Sequence, residues 1–164
     1  MDVARQNEDK DGREHGPNPG LLRPPLIFLA AILLGIGLNR ARSLPFMPSS
    51  RWWLGPIVTF CAVLLYLLSF REFRAAGTSV RGNKRTTTLV RTGPYRFSRN
   101  PIYLSFVVFV LGLSIWLNNL WLLVTLVAAV GIIALVVIPR EERFLARNFP
   151  DQYSRYKSSV RRWF

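Results

Sequence analysis

Leu89-Val90-Arg91-Thr92-Gly93-Pro94-Tyr95-Arg96-Phe97-Ser98-Arg99-Asn100-Pro101-Ile102-Tyr103 and, beyond the uncharged residues 104–138, Pro139-Arg140-Glu141-Glu142-Arg143-Phe144-Leu145 decide the fold. The first segment ends in a helix start, because Asn is a favoured cap and Pro fits the first helical position. Asn118-Asn119 interrupts the uncharged stretch halfway. It therefore reads as a tight antiparallel hairpin of two apolar helices, over residues 101–117 and 120–138, each close to the roughly 20 residues that cross a bilayer. A hairpin returns the chain to the side it left. Both charged clusters are expected on one face of a membrane.

Composition supports that setting. Half of the 164 residues are hydrophobic, yet the formal net charge is +13. The two characters are segregated, long uncharged runs alternating with basic segments, as in a small integral membrane protein. A nucleic-acid binder spreads Lys and Arg along a groove or helix face; here they gather at the ends of apolar runs, and no nucleic-acid partner is expected. Cys61 sits alone in an apolar run and His15 alone in a polar tail. An intrachain disulfide, a Cys-based metal site and a His/Cys zinc site are thereby excluded, and a Ser-His-Asp triad would need its base in that tail. Carboxylates, arginines, tyrosines, amides or a bound cofactor are left to carry any chemistry.

Residues 1–20 are too polar to offset ordering entropy and are expected to form a disordered tail, leaving one membrane-embedded domain over 21–164. Pro24-Pro25 opens a short first span, about residues 24–42. A signal peptide is the competing reading, but the run starts far from Met1 and Leu38-Asn39-Arg40-Ala41-Arg42 offers no small-x-small cleavage site. Gly35 and Gly37 would admit a neighbouring helix. Trp52 and Trp53 anchor a second span over 52–70, which ends at Arg71-Glu72-Phe73-Arg74. A long basic connection follows to Arg99. After the hairpin, residues 140–148 and 151–160 read as short interfacial helices, with Trp163-Phe164 resting at the headgroups. The loop between the first two spans holds Arg40, Arg42 and Arg51 and the hairpin turn has no charge. By the positive-inside rule, four spans with both termini cytoplasmic satisfy every loop, and in a bacterial cell the inner membrane is the expected location. The fold class is all-α, integral to the membrane, with about four transmembrane helices.

Each residue of the clusters has a plain structural use beside a functional one. Glu141 and Glu142 favour the first turn after Pro139 and balance Arg140, Arg143 and Arg147; alternatively, carboxylates beside a membrane-facing pocket bind a hydroxyl-rich or cationic ligand. Arg96 and Arg99 serve as interfacial anchors or grip a carboxylate or phosphate bidentately. Tyr95, Tyr103, Tyr153 and Tyr156 suit an aromatic belt, a role favoured for the last two. Helix capping suffices to explain Asn100. Gly112 and Ser114 suit helix packing, with close approach of a ligand the alternative.

Thr92-Gly93-Pro94-Tyr95-Arg96, Arg99-Asn100-Pro101-x-Tyr103, the hairpin, Glu141-Glu142-x-x-Leu145, Phe149 and Tyr153-x-x-Tyr156 together resemble the membrane methyltransferases related to isoprenylcysteine carboxyl methyltransferase and phospholipid N-methyltransferase. The resemblance covers residues 77–164 and lies in the order and spacing of both clusters around the hairpin. It implies S-adenosylmethionine as cofactor, held at the cytosolic ends of the last two spans by Arg99, Asn100, Tyr103, Glu141 and Glu142, with Gly112 as a further candidate contact. It also implies Arg96 or Arg99 as the group that orients the acceptor, Glu142 as a catalytic candidate, and a lipophilic acceptor entering from the bilayer. Asn100 stands where the family has His, and Ser105 where it often has Gly.

Methyl transfer from a sulfonium to a carboxylate joins a cation and an anion already able to react, so alignment and exclusion of water matter more than a general base. An amine acceptor must lose a proton, which a Glu can take. The expected activity is transfer to an isoprenylcysteine-type carboxylate or a related lipophilic acceptor. A phospholipid amine or a small thiol are alternatives, and the oligomeric state stays open. From another class, a non-enzymatic membrane protein would bind anionic lipid or a partner through Arg81, Lys84 and Arg85.

Overall fold

The computed structural model describes residues 23–48, 51–77 and 88–163. The N-terminal tail, Arg81, Lys84, Arg85 and Phe164 lie outside them. Every regular element among the described residues is helical: α1 (Pro24–Ala41), α2 (Leu54–Ala75), a 3₁₀ turn (Gly93–Arg96), α3 (Pro101–Trp116), α4 (Leu120–Ile132), α5 (Ile138–Asn148) and α6 (Pro150–Ser159). Three helices are long and apolar enough to cross a membrane: α1, α2 and the continuous Leu120–Asn148, while α3 is an apolar helix of 16 residues.

Two boundaries differ from those the sequence predicts. The helix that carries the second span runs on past Phe70, with Arg71, Glu72, Phe73 and Arg74 in the last turns of α2. A charged run ends a span without ending a helix, since both Glu and Arg are good helix formers. Likewise the helix that carries the fourth span continues through Pro139. A π turn over Ile133–Val137 joins α4 to α5, with the Ile138 amide donating to the Ile133 carbonyl. Pro139 has no N–H to offer, and the wide turn before it accommodates its ring.

The π turn sets which way α5 faces. Ile133, Val137 and Ile138 are all fully buried. In an α-helix residues 133 and 138 would lie about 140° apart and could not share one face. The wide turn brings them into line, and Glu141 and Glu142 continue one turn beyond Val137 and Ile138.

α1 packs on α4 and α2 on α3, with α3 and α4 in contact as the hairpin. Phe28, Ala31, Val110, Leu122, Leu126, Ala129, Ile133, Val137 and Ile138 form the main core. Facing outward are Leu33, Phe60, Leu67, Val127 and Leu135, which suit contact with lipid. Small residues let the helices approach. A Cβ on Gly35 would lie 3.1 Å from the Leu122 Cα, whereas Gly37 faces open space. Between α2 and α3, Gly55 abuts the Trp116 backbone, and a Cβ on Gly112 would lie 2.7 Å from the Thr59 backbone nitrogen. Ala62, Ser69, Ser105 and Ser114 are also buried. With no water to drive association inside a bilayer, such close backbone contact is what holds spans together.

At the hairpin turn two asparagines do the fastening. Asn118, in the left-handed region at φ 45°, accepts from the Phe46 and Met47 amides at 2.9 Å each and donates to the Met47 carbonyl at 2.9 Å. Asn119 donates to the Gly35 carbonyl at 3.2 Å and caps α4 by accepting from the Trp121 amide at 3.0 Å. The loop after α1 is thus fixed to the turn between α3 and α4.

Candidate functional site at the charged end of the hairpin

The 3₁₀ turn docks the first cluster onto the end of α2. Thr92 donates its hydroxyl to the Glu72 carboxylate. Gly93 has φ +58°, a backbone conformation that favours glycine, and lies against the Glu72 side chain. Tyr95 is buried, edge-on to Phe73 at 5.4 Å, and its carbonyl accepts from the Tyr156 hydroxyl at 2.7 Å. Thr92-Gly93-Pro94-Tyr95 is therefore a docking turn between α2 and α6. Tyr153 and Tyr156, expected in an aromatic belt, are instead buried and form a small second core with Leu89. A hydroxyl spaced to reach a backbone carbonyl makes burial tolerable.

The two clusters meet. Tyr103 donates to Glu141 Oε1 at 2.5 Å, across 38 positions of chain. Arg99 Nη1 stands 3.1 Å from Glu142 Oε1 as an ion pair and donates to the Tyr153 hydroxyl at 3.3 Å. Arg99 Nε is buried without an acceptor among the described residues. Arg162, which sequence reasoning does not single out, grips Glu142 bidentately, Nε to Oε1 at 3.1 Å and Nη2 to Oε2 at 2.8 Å. That geometry is characteristic of guanidinium and carboxylate and is among the stronger hydrogen-bonded pairings.

Arg162 is delivered by a C-terminal strap. The Arg99 amide donates to the Arg161 carbonyl at 3.0 Å, and Ser98 Oγ and Asn100 Nδ2 donate to the Arg162 carbonyl at 3.3 and 3.1 Å. Trp163 packs against the main core rather than lying free at the headgroups. Asn100 makes no side-chain cap on α3, so the capping role expected of it is replaced by this grip on the strap.

The remaining candidates lie apart. Arg96 is exposed on the 3₁₀ turn beside the exposed Phe97. Gly112 is enclosed by Thr59 at the α2–α3 contact. Ser105 is buried and donates to the Ile102 carbonyl at 2.6 Å. A cleft of about 380 Å³ opens beside Glu142 and Tyr153, walled by Pro139, Ala146 and Pro150 and rimmed by Arg143, Ser154 and Lys157.

Electrostatics follow from burial. The Tyr95 hydroxyl is held well above the usual range by desolvation, then by Tyr156, Glu141 and Glu72. Tyr156 is raised chiefly by burial, with Arg99 opposing. Tyr153 is raised by burial and by Glu142, again against Arg99. The hydrogen bond to Glu142 is the main reason that Arg162 holds its proton more firmly than usual. These tyrosines are hydroxyl donors and acceptors at neutral pH.

The arrangement gathers groups of both charges. It presents a buried guanidinium with one unused donor, two carboxylates and phenol hydroxyls, beside a cleft within the usual size of small-molecule sites, about 300–1,000 Å³. The chain is 32% identical over 111 residues to the cobalt-zinc-cadmium resistance protein CzcN of Cupriavidus metallidurans, covering 65% of this chain and 51% of that protein. It is 36% identical over 74 residues to the nickel-cobalt-cadmium resistance protein NccN of Alcaligenes xylosoxydans xylosoxydans, covering 44% and 35%. An uncharacterized protein of Haemophilus influenzae is 37% identical over 62 residues, 38% of this chain and 98% of that one. The chain thus spans about half or less of the length of the two resistance proteins it matches. The family model for phospholipid methyltransferase matches residues 50–152, which take in Arg99, Asn100, Tyr103, Glu141 and Glu142. That match covers more than half of the sequence, and the chain belongs to the phospholipid methyltransferase family.

Proposed function

We propose that the protein is an integral membrane methyltransferase that uses S-adenosylmethionine to methylate a lipophilic acceptor at the cytoplasmic face. The meeting of Tyr103 with Glu141 and of Arg99 with Glu142 carries this reading, because it gathers two distant clusters of the family-matched region into one polar site at the end of apolar helices. In this reading α1, α2, α3 and the Leu120–Asn148 helix are four spans, both termini are cytoplasmic, and α6 lies at the interface.

The residues present fit the cofactor. Glu141 and Glu142 suit its ammonium or ribose hydroxyls, and the unused Nε of Arg99 suits an acceptor atom such as a carboxylate oxygen. When bound, the cofactor supplies an electrophilic methyl group. Arg99 and Glu142 hold each other in place, Tyr103 orients Glu141, and Asn100 keeps the strap closed over the pair. Strap and buried tyrosines limit water at this end, which strengthens every charge interaction there. Arg96 and Phe97, exposed side by side, suit the headgroup level, where Arg96 can meet an anionic acceptor whose apolar tail remains in the bilayer. An isoprenylcysteine-type carboxylate fits this arrangement, with a phospholipid amine or a small thiol as the alternatives. Gly112 is assigned to helix packing.

Calorimetric titration of S-adenosylmethionine into detergent-purified protein tests the reading. Saturable binding is expected in the native protein and not in the Glu141→Gln, Glu142→Gln double variant. Absence of binding by a native sample with a cooperative melt removes the proposal.

A further inference from the structure

Glu142 is shared by two guanidiniums that differ in exposure. Arg99 is nearly buried: its side chain is 11% exposed, it touches Tyr153, and it lies two residues before the start of α3. The Arg162 side chain is 39% exposed, against 14% for Glu142. The backbone of the strap is fastened separately, through the Arg161 and Arg162 carbonyls to Arg99, Ser98 and Asn100, while Trp163 is seated in the core. The guanidinium of Arg162 can therefore leave Glu142 while the strap stays in place. The cleft walled by Pro139, Ala146 and Pro150 is lined by Glu142 as well.

We propose that Arg162 is a built-in occupant of a cation subsite on Glu142, and that the ammonium group of an incoming ligand displaces its guanidinium. The assignment rests on the cofactor reading above and extends it to one group of the ligand and one competing residue. Removing Arg99 from the carboxylate would strand a charge in a dry site; swinging Arg162 outward returns its charge to water. The exchange is cation for cation, so the charge at Glu142 is conserved. The apparent affinity of the native protein is lowered by the fraction of molecules in which Arg162 holds the subsite.

The test measures S-adenosylmethionine affinity calorimetrically for the full-length protein and for Arg162→Gln and Arg162→Lys in the same detergent, with thermal melts of each. Gln removes the competing charge; Lys keeps a charge but gives up the bidentate grip. The expected order is Arg162→Gln tightest, about threefold to tenfold tighter than native, with Arg162→Lys between. Affinity equal to or weaker than native in a folded Arg162→Gln protein overturns the proposal and leaves the cofactor reading standing, with Arg162 then a clamp that helps Glu142 bind. If Arg162→Gln does not fold, Arg162→Lys decides, and affinity no tighter than native overturns the proposal. No binding by either variant or by the native protein removes both the subsite and the cofactor reading.

Discussion

The two ends of the α3–α4 hairpin are fastened with different chemistry. At the turn, Asn118 and Asn119 tie neutral amides to backbone groups of the Phe46-Met47 loop and of Gly35. At the open end, Arg99, Glu142 and Arg162 form a charged triad next to Tyr103 and Glu141. An amide lodged against a backbone carbonyl has no better partner to exchange for. A carboxylate shared between two cations has one whenever a cationic ligand arrives. The first arrangement holds the fold; the second holds it and can also be opened.

The sharpest break in that contrast is Glu142→Ala. It strands the Arg99 guanidinium, nearly buried, without its counter-charge, and is expected to lower stability by about 3 kcal/mol and abolish S-adenosylmethionine binding. Denaturation in mixed detergent and calorimetry check the two effects separately. Native-like binding would remove Glu142 from the site.

Asn119→Ala acts at the other end and is expected to lower stability by about 2 kcal/mol, from a lost cap and an unanswered Gly35 carbonyl. Affinity measured on the folded fraction should stay within about twofold of native if the ends are as independent as their separation implies. A large loss of affinity would show that the neutral end also governs the site.

The smallest effect is reserved for Tyr156→Phe, at about 1 kcal/mol near neutral pH. Its value lies in its pH dependence. Burial raises the Tyr156 ionisation in the folded protein above its unfolded value. The folded state therefore binds the proton more tightly, so the stability is fully present below about pH 10 and is lost as pH rises beyond it. The phenylalanine variant should show a shallower alkaline decline in melting temperature. An unchanged slope would place the titration on Tyr95 or Tyr153.

Much of this is legible in the sequence because hydropathy and charge alone define uncharged runs, basic flanks and the hairpin. Arg99, Tyr103, Glu141 and Glu142 stand out through their spacing about Asn118-Asn119, and the structure brings them together. Asn100 reads as a cap because capping is what Asn most often does before a helix; only the folded tail shows its amide turned to the Arg162 carbonyl. Arg162 itself carries no local sign, since its partner lies 20 positions away beyond a helix and a turn. Tyr153 and Tyr156 look like belt residues because their sequence neighbours are charged, and their burial depends on Leu89 and Tyr95 from a distant segment.

The π turn over Ile133–Val137 carries one further consequence, for counting. A helical wheel drawn uniformly from Ile133 would place Glu142 about 180° away, on the lipid side. The protein places it against Arg99. Alignments that open or close a one-residue gap between Ile133 and Pro139 thus reassign the acidic pair from the interior to the lipid. An insertion or deletion of one residue here changes the phase of the whole acidic segment.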